Sequence, residues 1–218
     1  MRAAAGLRRG ASGSGTRALC VLVHGRGQSP EEMESHILRR LASLDVAFSL
    51  PRAPRGAWYD AKAVEPLTDD SRAQLGEALG QLGEEIAALR AEYEGLPLLL
   101  AGFSQGACLS IEYASLGTAP PEALVALTGC RVGTAHCGRA DAAPAGLPVY
   151  LSGSDADPWI PVDAMMAAAC NLAQRGTRLR ADTFPGRAHE VSDAEIAMLQ
   201  SVLADLAEGR TPSMGAPR

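Results

Sequence analysis

The chain has 218 residues, 47% of them hydrophobic and 21% charged, enough for one ordinary domain and too few for two large ones. That balance excludes a fibrous or a disordered chain. Twenty basic against 25 acidic residues leave a formal charge of −5, without the basic field that grips a phosphate backbone, so nucleic acid is not an expected partner. No apolar run approaches the ~20 residues of a bilayer span, and no membrane crossing is expected.

Five cysteines are scattered without a C-x-x-C pair, a pattern of buried thiols in a reducing compartment rather than of a disulfide framework. The basic start at Arg2, Arg8 and Arg9 is followed by Gly/Ser-rich chain and not by a signal-peptide core. A cytoplasmic protein is expected. Cys137 beside His136 lacks further ligands nearby, so no metal site is expected. Residues 1–16 read as a disordered tail, 17–208 as one domain, and 209–218 as a second tail.

In chain order, apolar strand-length runs at 18–23, 46–50, 97–101, 123–128, 147–152 and 179–184 alternate with stretches of helical period. That alternation predicts an α/β chain with a mostly parallel sheet covered by helices on both faces. Ser29-Pro30-Glu31-Glu32 carries an N-cap serine, a first-turn proline and a capping-box glutamate, and the period of Met33, Ile37, Leu41 and Leu44 predicts a helix over 30–44. Leu75, Leu79, Leu82, Ile86 and Leu89 share one face of a helix over 70–92. A second capping box, Ser192 to Glu195, opens a last helix with Ile196, Leu199, Val202, Leu203 and Leu206 on its apolar face. The connection from Pro51 to Asp69 has three prolines and no period, and a loop of that length is usually functional. Trp58 and Tyr59 are therefore candidate pocket walls.

Gly102-Phe103-Ser104-Gln105-Gly106 is a G-x-S-x-G sequence placed after an apolar strand and before the helical stretch 107–114, the strand–turn–helix that this motif requires. A serine hydroxyl is a weak nucleophile until a histidine accepts its proton and a carboxylate orients that histidine. In this arrangement they follow in the order serine, acid, histidine, each in a loop after a later strand. His189 follows the strand at 179–184; His24 precedes the serine, His36 lies in a helix, and His136 comes before the acid. Two carboxylates, Asp155 and Asp157, share the loop after 147–152, and the proline after Asp157, which fixes the exit of the loop, favours Asp157. An oxyanion needs two preorganised N–H donors, one after the nucleophile and one from a loop after an early strand. Gln105 supplies the first, and Arg26, within His24-Gly25-Arg26-Gly27, the second. The Arg26 side chain would favour an acidic substrate, against the plainer reading of a solvated arginine.

His24-Gly25-Arg26-Gly27, Trp58-Tyr59-Asp60, the G-x-S-x-G, Asp157-Pro158-Trp159-Ile160-Pro161 and Gly186-Arg187-Ala188-His189-Glu190 together resemble, in order, the motifs of the phospholipase/carboxylesterase family, which includes the acyl-protein thioesterases. The resemblance covers about 17–207. It implies an α/β-hydrolase fold without a large cap domain, a nucleophile at Ser104, an acid at Asp157, a base at His189, and oxyanion donors at Arg26 and Gln105. It also implies hydrolysis of esters and thioesters with no cofactor, on a small-molecule substrate. Trp58, Tyr59 and Trp159 would shape the pocket. Arg26, Ala107 and Tyr59 depart from the pattern of the thioesterases that act on lipidated proteins, and the sequence looks closer to bacterial esterases of small to medium acyl groups. A homodimer is left open.

Overall fold

A computed structural model of the chain describes residues 6–42 and 45–215. Twelve strands and α-helices follow one another along it. They are β1 (Leu7–Gly10), β2 (Ala18–Val23), α1 (Pro30–His36), β3 (Val46–Leu50), α2 (Asp69–Glu92) and β4 (Leu98–Phe103), then α3 (Gln105–Ala114), β5 (Ala123–Leu127), β6 (Pro148–Gly153), α4 (Val162–Gln174), β7 (Arg178–Thr183) and α5 (Asp193–Ala207). The strands form one seven-stranded sheet in the order β1-β3-β2-β4-β5-β6-β7. All pairs are parallel except β1 with β3. This is the α/β-hydrolase fold expected from the sequence.

The central strands β2, β4, β5 and β6 are buried at every residue, as strands covered on both faces must be, and therefore read as unbroken apolar runs. One core lies under α2, α3 and α4. The other lies under α1 and α5. The two edge strands carry charges, Arg8 and Arg9 on β1 and Arg178, Arg180 and Asp182 on β7, which discourages pairing with a further strand.

Three expectations are corrected. The tail expected over 1–16 includes β1, whose arginines pair with Glu85 (2.7 Å) and Glu34 (2.8 Å); a four-residue strand with two arginines has no apolar alternation to betray it. Residues 1–5 lie outside the described residues. The helix expected over 30–44 ends at His36 and continues as a 3-10 turn, Leu38–Arg40. Ile37 leaves helical geometry to bury itself against the sheet, and the Arg40 guanidinium takes up the His36 carbonyl. Leu44 lies outside the described residues. Of the second expected tail, Pro212 is buried and Met214 packs on the core beneath α5, with 216–218 outside the described residues.

Helix α2 starts one residue earlier than its period indicates, because Thr68 and Ser71 form a reciprocal capping box. Helix α4 has no side-chain cap, only Pro161 at its start, so little in the sequence marks its beginning. No cap domain interrupts the fold. The segment between β5 and β6 is pinned by Arg131, whose guanidinium makes two bonds (2.8 and 2.9 Å) to the buried Glu112 and one to the Ala140 carbonyl (2.6 Å). Among the described residues, no helix is long and apolar enough to cross a membrane. Thr68→Ala, which removes the acceptor for the Ser71 N–H at the start of α2, is expected to cost about 1 kcal/mol in urea unfolding.

Candidate active site

Ser104 lies between the end of β4 and the start of α3 with φ 55° and ψ −121°, a conformation that a non-glycine residue adopts only where the surroundings enforce it. The two motif glycines are what permit it. A Cβ on Gly102 would stand 2.4 Å from the Gly106 carbonyl oxygen, and one on Gly106 would stand 2.2 Å from the Val23 carbonyl oxygen. The turn is thus wedged between its own helix and the end of β2, and the Ser104 N–H is held by the Leu127 carbonyl at 3.0 Å.

The serine Oγ lies 2.9 Å from Nε2 of His189, and the Nδ1 of that ring lies 2.7 Å from Oδ2 of Asp157. The Asp157 side chain is fully buried. Its other oxygen accepts the backbone N–H groups of Trp159 (2.8 Å) and Ile160 (2.9 Å), so the carboxylate is fixed in both position and rotation. Asp155, the second carboxylate of the loop, faces elsewhere and accepts the Gly186 N–H at 2.7 Å. It holds the histidine loop and does not touch the imidazole-bound oxygen.

The backbone N–H groups of Arg26 and Gln105 donate to no acceptor among the described residues. Both flank Ser104, for Gln105 opens α3, and Arg26 follows Gly25, on which a Cβ would approach the Ser104 Cβ to 3.2 Å. Unpaired donors beside a serine hydroxyl are the arrangement that a developing oxyanion requires. The Arg26 side chain does something different from what the sequence suggested. Its Nη2 donates to the carbonyls of Tyr59 (3.0 Å), Asp60 (3.2 Å) and Ala61 (2.7 Å), tying the 51–68 loop to the oxyanion loop.

Two further ties hold that long loop, and neither is legible as a motif. The Gln105 side chain accepts the Trp58 N–H (3.0 Å) and donates to the Tyr59 carbonyl (2.7 Å). His24, wholly buried, donates from Nδ1 to the Gly25 carbonyl (2.7 Å) and accepts the Ala53 N–H at Nε2 (3.0 Å). The Trp58 indole N–H closes the arrangement on the His24 carbonyl at 2.8 Å. Trp58 is therefore packing behind the wall and not a lining residue. Tyr59 does line the cavity, and Trp159, 64% exposed, stands at its mouth. The cavity is about 320 Å³, bounded on its apolar side by Ala61, Ala63, Cys108 and Ile160.

Under His189 lies a closed ring of hydrogen bonds. The Thr128 N–H donates to Ser152 Oγ (3.1 Å), which donates to Glu195 Oε1 (2.5 Å); Arg187 then bridges Glu195 Oε2 (2.8 Å) and Thr128 Oγ1 (2.8 Å). The Arg187 and Glu195 side chains are both buried. The ring joins the ends of β5 and β6, the histidine loop and the first turn of α5. Sequence reading identified Glu195 only as a capping residue, a duty it also performs by accepting the Ser192 N–H at 2.7 Å.

The chain matches a family model described as Phospholipase/Carboxylesterase over residues 11–207. Among solved structures it is similar to a phospholipase/carboxylesterase from Dyadobacter fermentans, at 27% identity and a TM-score of 0.78, covering 92% of this chain and 96% of that one. Esterase PE8 shares the fold at 24% identity and a TM-score of 0.76, covering 93% and 98% of the two chains. So does acyl-protein thioesterase 2 of Zea mays, at 17% and 0.72, covering 93% and 98%. No curated protein matches the chain.

Arg187→Met leaves Glu195 as a buried, unpaired carboxylate and is expected to cost roughly 3 kcal/mol in urea unfolding. Arg187→Met with Glu195→Gln, which removes both charges, should recover most of that loss. Burial holds the His24 imidazole below its ordinary value of 6.5, so the unfolded chain takes up the proton that the folded chain refuses. Stability is expected to be flat above that value and to fall as pH drops through it. Thermal unfolding followed from pH 8 to pH 5 should show this slope weakened in His24→Asn.

Proposed function

Since the chain belongs to the phospholipase/carboxylesterase family, we propose that it is a serine hydrolase that cleaves carboxylic esters, and thioesters, of small to medium acyl groups through an acyl-enzyme on Ser104. The observation that carries this reading is the unbroken chain Ser104 Oγ, His189 Nε2, His189 Nδ1, Asp157 Oδ2, with links of 2.9 and 2.7 Å. No rearrangement is needed for proton transfer along its first link, since the distance is already within hydrogen-bond reach.

His189 takes the proton of Ser104 as Oγ attacks the substrate carbonyl. The carbonyl oxygen becomes an oxyanion against the N–H groups of Arg26 and Gln105, which need no reorientation because nothing else occupies them. Asp157 keeps the protonated imidazole in place and stabilises its charge. Collapse of the tetrahedral intermediate breaks the bond to the alcohol or thiol, which leaves with the proton from His189. A water molecule, deprotonated by the same ring, then attacks the acyl carbonyl and returns Ser104 to its starting state.

The size of the cavity supports an acyl group of limited length. Its volume is about 320 Å³, with Tyr59, Ala61, Ala63, Cys108 and Ile160 as its apolar wall, at the small end of ligand cavities. The Tyr59 phenol, raised well above its ordinary pKa by burial, stays protonated and forms part of that wall.

Ser104→Ala is expected to lower kcat/KM for p-nitrophenyl butyrate by at least ~10³-fold and to abolish labelling by a fluorophosphonate, with circular dichroism unchanged. Asp157→Asn should lower kcat by about 10⁴-fold, through the wrong imidazole tautomer. Ester hydrolysis undiminished in Ser104→Ala would overturn the assignment.

A further inference from the structure

A second cavity, of about 540 Å³, also has His189 in its lining. Its floor is Met33, Ile37 and Phe103, all buried. Phe103 also packs against the imidazole, with ring centroids 5.0 Å apart. Its rim includes Ser35 on α1 and Glu190 beside the histidine. Between the rim and Ser104 stands Gln28, whose Oε1 accepts the Gly25 N–H at 3.0 Å. A Cβ on Gly25 would lie 2.7 Å from that oxygen and 3.2 Å from the Ser104 Cβ. The cavity thus begins one residue's width from the nucleophile.

The two cavities share His189 and no other lining residue. The acyl cavity holds Ser104, Gln105 and Arg26, the groups that grip the carbonyl. Of the two substituents on a tetrahedral carbon at Ser104, the one that departs must have its oxygen within reach of Nε2, since His189 delivers its proton. That oxygen must therefore lie against the His189 ring, beside which the second cavity opens.

The charges of the second cavity narrow its occupant. Arg40 is engaged, with Nη1 on the Val191 carbonyl (2.8 Å) and Nη2 on Asp193 (2.6 Å). The Glu190 carboxylate meets no cation among the described residues. Gln28, Ser35 and His36 add neutral hydrogen-bonding groups to the rim. The acyl cavity has no carboxylate in its lining, and its two cations are engaged as well, Arg26 on the Tyr59, Asp60 and Ala61 carbonyls and Lys62 with Glu65 at 3.6 Å.

We propose that the cavity between α1 and the histidine loop is the leaving-group subsite, and that it receives a polar alcohol that is neutral or cationic and not anionic. This rests on the serine hydrolase reading. In the acylation step the C–O bond to the alcohol breaks, its electron pair stays on the alcohol oxygen, and the imidazolium proton completes the hydroxyl. The alcohol then stands in the second cavity while the acyl group remains on Ser104.

Butyrate esters of methanol, choline and glycolic acid share one acyl-enzyme, so they differ only in acylation and kcat/KM reads the alcohol half alone. Each value is divided by the ester's own alkaline hydrolysis rate constant. The choline ester is expected to exceed the glycolate ester by about fivefold, a swing in keeping with one partly exposed charge. Glu190→Gln should erase that preference and leave the methyl ester unchanged. Ser35→Trp, which fills the cavity from an exposed helix position, should lower kcat/KM for the choline ester by about tenfold, the loss of most of one favourable contact surface, and spare the methyl ester. Equal effects of Ser35→Trp on methyl and choline esters, or a charge preference that survives Glu190→Gln, would overturn the subsite. If Ser35→Trp changes the preferred acyl length instead, the cavity holds the acyl group and the proposal fails. Protein inert to all three esters and to fluorophosphonate overturns the hydrolase reading itself, and the subsite with it.

Discussion

Everything at the site depends on how closely α3 approaches the end of β2. With a Cβ at residue 106 placed 2.2 Å from the Val23 carbonyl oxygen, only glycine allows the helix to start where it does, and the strand–turn–helix then forces Ser104 to φ 55°. The same approach brings the oxyanion loop, which continues directly from β2, against the serine. A single close contact between two backbones therefore places Ser104 in the cavity lining and sets the Arg26 and Gln105 N–H groups beside it. The strain at one residue, of order 1–3 kcal/mol, is borne by two buried cores that meet across the sheet.

Around that contact the molecule uses polar groups as clamps. Gln105, Arg26 and His24 are all committed to the 51–68 loop through backbone carbonyls and N–H groups. Ala53, Trp58, Tyr59 and Ala61 bury the loop against the core, so its backbone groups must find partners or remain unsatisfied in the interior. On the other side of Ser104, the ring through Thr128, Ser152, Glu195 and Arg187 serves the histidine loop in the same way. Buried charge is a costly way to hold a loop. It also fixes direction, which apolar contact does not, and the His189 ring, whose Nε2 faces the Ser104 Oγ, is held in one direction.

The two sides of His189 differ in character. The cavity that holds Ser104 is the smaller and has an apolar wall, whereas the second is larger and has Glu190 on its rim. His189 and Phe103 form the partition, in contact through their rings. Such a division suits a reaction in which the two halves of the substrate part company and leave at different times.

Much of this was legible in the chain. Apolar runs marked the strands buried on both faces, which admit few polar residues, and the N-cap at Ser29 and the capping box at Ser192 marked helix starts through local hydrogen bonds alone. The G-x-S-x-G sequence, the order of serine, acid and histidine, and the glycines around Arg26 are also local, since each reports a turn that only certain residues permit. What the chain could not reveal were partnerships between residues far apart in sequence. Pro158 favours Asp157 over Asp155, but nothing local shows that Asp155 holds Gly186 while Asp157 holds His189. Nothing marks Trp58 as packing and Tyr59 as wall, or Arg26 as a clamp on three carbonyls, or Arg8 and Arg9 as an edge strand. Sequence by itself determined the fold class and the chemical types of the side chains gathered at the candidate site, because these follow from backbone sterics and side-chain type within a few residues. Which oxygen faces which nitrogen, which arginine is buried and where the two cavities open were decided only by the tertiary structure, because each is a distance between elements that folding alone brings together.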